Sequence, residues 1–111
     1  MLAGLNIIQY EDGRFGLTIQ EPGSPEEAYW DLFEEQELQG GGYTWEGIVH
    51  ALVEMRLGDV KTAIEVGAEA DNAYVNSADR NVLERIAQLL EAAIAYTDLL
   101  LEAIENADDI E

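Results

Sequence analysis

Apolar and polar residues first alternate with the period of a strand. Ile7-Ile8-Gln9-Tyr10 and Phe15-Gly16-Leu17-Thr18-Ile19 are β-rich runs. In the second, Phe15, Leu17 and Ile19 alternate with Gly16 and Thr18, which marks one buried face. Glu11-Asp12-Gly13-Arg14 stands between them, and Asp-Gly accepts the positive φ that a tight hairpin needs. Pro22 and Gly23 end the second strand. The period then becomes helical. Ser24 as cap, Pro25 in the first helical position and Glu27 closing a capping box predict a helix that runs to about Leu38. Tyr29, Leu32, Phe33 and Gln36 share one face of it, and Glu27, Asp31, Glu34 and Glu35 another. Gly40-Gly41-Gly42 stops it. Thr44 is placed to cap a second helix from Trp45 to Arg56, apolar at Ile48, Leu52 and Met55 with Trp45 and Val49 beside them. Gly58-Asp59 closes that helix.

Thr62-Ala63-Ile64-Glu65-Val66 and Asn72-Ala73-Tyr74-Val75-Asn76 predict a second hairpin turning over residues 67–71, although their alanine content also fits a helix. Ser77 or Asp79 caps a third helix to about Ala95, apolar at Val82, Leu83, Ile86, Leu89, Leu90, Ala93 and Ile94. Thr97-Asp98 restarts a shorter helix through about Ile104, and Asn106 to Glu111 reads as a frayed acidic tail. The order is ββααββαα. Two hairpins forming an antiparallel sheet, packed by about four helices, make an α+β domain spanning residues 1–111. The repeated order hints at duplication, but no residue-level repeat accompanies it.

The chain's 111 residues, 48% of them hydrophobic, suffice for a single core without staples and set it apart from a disordered acidic tail. Cysteine is absent, which removes disulfides and thiolate chemistry and suits a reducing compartment. The N-terminus lacks the basic region and apolar run of a signal peptide, and no apolar stretch approaches the roughly 20 residues that cross a bilayer. A cytoplasmic protein without a membrane partner is expected.

Charge changes the picture most. Twenty-four acidic residues oppose five basic ones, for a net charge of −19. Such a field repels nucleic acid and anionic lipid and draws in cationic partners. The plain alternative is that acidity only keeps the protein soluble or reflects a salt-rich host. Arg14, Arg56, Lys61, Arg80 and Arg85 are scattered and form no basic track interleaved with aromatics, so no nucleic-acid partner is expected. Regularly spaced carboxylates are, however, compatible with a DNA mimic aimed at a basic nucleic-acid-binding protein, and a homo-oligomer stays open.

The residues offer little catalytic chemistry. His50 stands alone in the middle of the second helix, without the partners an acid–base or nucleophilic site requires. Gly40-Gly41-Gly42 lacks the Lys-Ser/Thr that follows a phosphate-binding loop. Asp71-Asn72 and Asp108-Asp109 fall short of the calcium-loop pattern. No enzyme, cofactor or metal site is expected. Contact chemistry is better represented. Glu27, Asp31 and Glu35 recur at a spacing where like charges cost about 0.2–0.5 kcal/mol per pair, and no Lys relieves them. Asp31, Glu34 and Glu35 are therefore the first candidates for partner binding. Tyr43 and Glu46 come next, in the glycine-flanked segment Gly40 to Gly47, because Tyr and Trp dominate binding hot spots. For Trp45 the competing reading is a core residue at a helix start.

Three segments together resemble the bacterial immunity protein 51 family of polymorphic toxin systems. They are Tyr10-Glu11-Asp12-Gly13-Arg14-Phe15, Gly42-Tyr43-Thr44-Trp45-Glu46-Gly47-Ile48, and Ser77-Ala78-Asp79-Arg80 through Leu83-Glu84, in the expected order. The resemblance implies an intracellular inhibitor that protects the producing cell by binding its cognate toxin, and it brings no catalytic residues; with the net charge, it leads to the expectation that a basic toxin surface is occluded. The departures are the alanine-rich stretch from Thr62 to Asn76 and the additional glycines Gly40-Gly41.

Overall fold

The computed structural model describes residues 1–108 and 110–111. Strands β1 (Leu5–Gln9) and β2 (Phe15–Ile19) precede helices α1 (Tyr29–Glu35) and α2 (Gly42–Arg56). A 3₁₀ segment, Gly58–Ala63, leads into β3 (Glu65–Ala68) and β4 (Ala73–Ser77), followed by α3 (Arg80–Ala95) and α4 (Thr97–Asn106). The expected ββααββαα order and α+β class hold. The strands form one four-stranded antiparallel sheet in the order β1-β2-β4-β3.

The first hairpin closes as its sequence directs. Gly13 takes φ +90, the amide of Gly13 donates to the carbonyl of Tyr10 at 3.0 Å, and Asp12 Oδ1 accepts from the amide of Arg14 at 3.0 Å. Alternation then divides the sheet. The rows Leu5–Ile19–Ala73–Ala68 and Ile7–Leu17–Val75–Val66 face the helices, where α3 lies over β1, β2 and β4, and α2 over β3 and β4. The rows Asn6–Thr18–Tyr74–Gly67 and Ile8–Gly16–Asn76–Glu65 face the other way.

Helix boundaries depart from expectation in α1. It starts at Tyr29, Ser24 caps nothing, and residues 24–28 form turns in which the amide of Glu27 donates to the carbonyl of Ser24. In this arrangement the Tyr29 hydroxyl donates to the carbonyl of Pro22 at 2.5 Å. With Tyr29 also fully buried against Phe33 and Trp45, this bond fixes the path of the chain into the helix. The helix also ends early. The amides of Glu37 and Leu38 donate to the carbonyls of Glu34 and Phe33, with Glu37 at φ +57, which is a Schellman stop made without glycine.

Helix α2 begins three residues earlier than expected, at Gly42, and Thr44 lies inside it rather than at its cap. The Thr44 hydroxyl instead accepts from the amide of Gly40 and donates to the main-chain oxygen of Glu111. That contact, Ile110 packed over Gly47, and a hydrogen bond from the amide of Gln39 to Glu111 hold Ile110 and Glu111, in the stretch expected to fray. The strand expected from Thr62 starts at Glu65. Ahead of it, Val60 is buried as the anchor of the 3₁₀ segment, while Thr62 and Ala63 are exposed. For α3, Asp79 is the cap, accepting from the amide of Asn81 at 2.9 Å, and Ser77 Oγ in turn accepts from the amide of Asp79.

Candidate functional site: the acidic surface

The five cationic side chains are all engaged. Arg14 pairs with Glu65 at 3.4 Å, Arg56 with Glu102 at 3.3 Å, Arg80 with Glu84 at 3.1 Å and Arg85 with Asp59 at 3.0 Å, and Lys61 pairs with Glu54. Exposed pairs of this kind contribute only about 0–1 kcal/mol each. Their larger consequence is electrostatic, because every Lys and Arg charge is cancelled locally while most carboxylates are left to set the field. The hydrogen bond and charge of Lys61 hold the Glu54 carboxyl below its usual range, and the guanidinium of Arg85 does the same for Asp59.

The residues singled out for partner binding fall into two places. Asp31, Glu34 and Glu35 are exposed on α1, where the Schellman stop ends the helix just beyond them. Asp31 and Glu35 line a shallow groove whose other wall is α4, with Asp98 contributing a third carboxylate. Tyr43, 46% exposed, and Glu46 border a separate groove with His50, Asp108 and Glu111. Gly47, His50 and Asp108 continue this groove into a cavity of about 370 Å³ between α2, the 3₁₀ segment and β3, whose walls include Ile64 and Val66. The two groups of candidates share no groove.

Trp45 belongs to the core at 1% exposure, where its ring meets Tyr29 at 5.3 Å and Phe33 at 5.4 Å. Gln36, expected on the apolar face of α1, is exposed, and Trp30 packs against the core in its place. The glycine run is fixed by packing. A Cβ on Gly42 would strike the carbonyl oxygens of Glu69 and Asn72, and one on Gly41 that of Ala70, so the β3–β4 turn lies directly on this backbone.

Among the described residues no three His, Asp or Glu side chains converge in a way that would hold a metal ion. Asp109, half of the Asp108-Asp109 pair, lies outside the described residues. Among the described residues no helix is long and apolar enough to cross a membrane.

Fold and surface together define a small acidic α+β protein whose most marked feature is an anionic exterior with its cations locked in ion pairs. The model of the family described as immunity protein 51 matches residues 5–109, nearly the whole chain, and the chain belongs to that family. No curated protein and no solved structure matches it. Membership implies a non-enzymatic role.

Proposed function

We propose that this chain is an immunity protein that binds a cognate toxin in the cytoplasm of the producing cell and neutralises it by occluding a basic surface. Family membership supplies the role, and the observation that carries the mechanism is the pairing of every Lys and Arg in a chain of net charge −19. A surface without free Lys or Arg attracts a cationic partner from any approach and offers it no repulsive patch. Asp31, Glu34 and Glu35 supply electrostatic attraction in this reading, with Tyr43 and Glu46 as a second candidate group. The chain itself catalyses nothing and needs no cofactor.

Co-expression with the gene immediately upstream tests the role, scored by host survival and co-purification. Rescue with a stable complex is the expected result. A harmless neighbour, or a toxin left unbound, would shift the reading to an acidic adaptor or DNA mimic. Glu34→Lys with Glu35→Lys is expected to slow association and weaken protection, and unchanged binding in a calorimetric titration would remove α1 from the account.

A further inference from the structure

The sheet face turned away from the helices differs from the rest of the molecule in charge. Its two rows hold a single ionic residue, Glu65, and the guanidinium of Arg14 reaches across β4 to cancel it at 3.4 Å. Within a chain of net charge −19 this face is formally neutral. It is also aromatic and hydrogen-bonding. Tyr10 folds back over Gly16 and donates to Asn76 Oδ1 at 2.8 Å, and the ring of Tyr74 lies over Gly67. Both glycines leave room for a ring where a Cβ would collide with it. Ile8, 45% exposed, and Tyr10, 38% exposed, are two of the five large apolar side chains that stand out from the core.

We infer that this open sheet face is the desolvated centre of the contact with a cationic protein, the toxin of the proposed function, on which the inference rests. Protein interfaces deplete charge at their centre and enrich tyrosine there, with polar and charged groups at the rim. The rim is present. Glu11, Asp12 and Asp79 are exposed at one end of the strands, and Glu21, Glu69 and Asp71 at the other. The strands span about 14 by 17 Å, roughly 240 Å². A stable interface covers about 800 Å² on each partner, so any protein seated here also covers those carboxylates. Their charge selects the occupant. A second copy of this chain would set carboxylate against carboxylate, whereas a partner with an uncharged centre and a rim of Lys and Arg pairs with all of them. The carboxylates of α1, which packs on α4 at the helical side, then act at a distance, on the rate of encounter.

The test is a kinetic binding measurement with the toxin polypeptide encoded beside this chain. Ile8→Lys with Thr18→Lys places two cations in the neutral centre. It is expected to weaken binding at least about 30-fold, mostly through faster dissociation. A folded double variant that dissociates at the wild-type rate, while the wild type binds tightly, overturns the sheet-face inference and leaves the immunity role standing. A wild type that does not bind removes both. Independently of the variant's folding, cross-saturation of the unmodified complex should attenuate the methyls of Ile8 and Thr18, and their unattenuated survival overturns the inference. Elution of the free protein as a dimer that Ile8→Lys dissociates would assign the face to a second copy and overturn the choice of occupant.

Discussion

Tyr29 is fully buried, stacks among Trp30, Phe33 and Trp45, and spends its hydroxyl on the carbonyl of Pro22. Burial first, and then the nearby charges of Glu21 and Glu27, push its ionisation above the ordinary value of 10.0. A phenol shifted upward in the folded state contributes stability that is complete below that value and is lost as the pH rises past it. Thermal unfolding of the wild type should therefore weaken more steeply above pH 10 than that of Tyr29→Phe. At neutral pH the same substitution orphans the Pro22 carbonyl and should cost about 1–2 kcal/mol, read as a fall in melting temperature of about 5 °C or more. An unchanged melting temperature would mean that this hydrogen bond contributes nothing to stability. Residues of this kind were only partly legible in the sequence. Tyr29, Phe33 and Trp45 announce themselves as core by size and spacing, but the Ser24 cap motif is not used, because tertiary packing rather than a local pattern sets where α1 begins. Likewise Trp30 takes the place that periodicity assigned to Gln36.

At the scale of elements, the glycine run shows how the second hairpin is fitted against the connection between α1 and α2. Gly40-Gly41-Gly42 reads in sequence as a flexible stop, yet the carbonyls of Glu69, Ala70 and Asn72 press against it, and the amide of Gly42 donates to Ala70 at 3.0 Å. Gly42→Ala should destabilise by about 3 kcal/mol, since neither backbone can yield without disturbing the β3–β4 turn. Gly58, with open space around it and no positive φ, should behave oppositely. Gly58→Ala is expected to stabilise by roughly 0.5 kcal/mol by restricting the unfolded chain. Chemical denaturation of the two variants checks both signs. The first hairpin and α3 were legible because their signals are local: Asp-Gly in the turn, Asp79 at the cap, a sustained helical period. The 3₁₀ segment and the late start of β3 were not. Alanine favours helix over strand and so blurs the strand signal, and the burial of Val60 that anchors the segment is decided by tertiary packing.

At the scale of the whole molecule, composition conveyed the sign of the field and the structure conveyed its distribution. Net charge is legible from the sequence, but the cancellation of each cation by one carboxylate is not. Three of the five pairs join residues 26 or more positions apart: Arg85 with Asp59, Arg56 with Glu102 and Arg14 with Glu65. The neutral sheet face is hidden for the same reason, since its two rows draw on four strands from both halves of the chain. An anionic exterior around a neutral face should steer a cationic toxin from a distance and hold it by contact. The most direct test is the association rate of the purified chain with the proposed toxin partner, measured across a salt series. The account predicts a tight complex whose association slows about 10-fold or more between about 0.02 and about 0.3 M salt, with dissociation changing far less. No complex at any salt concentration, or an association rate indifferent to salt, would contradict it.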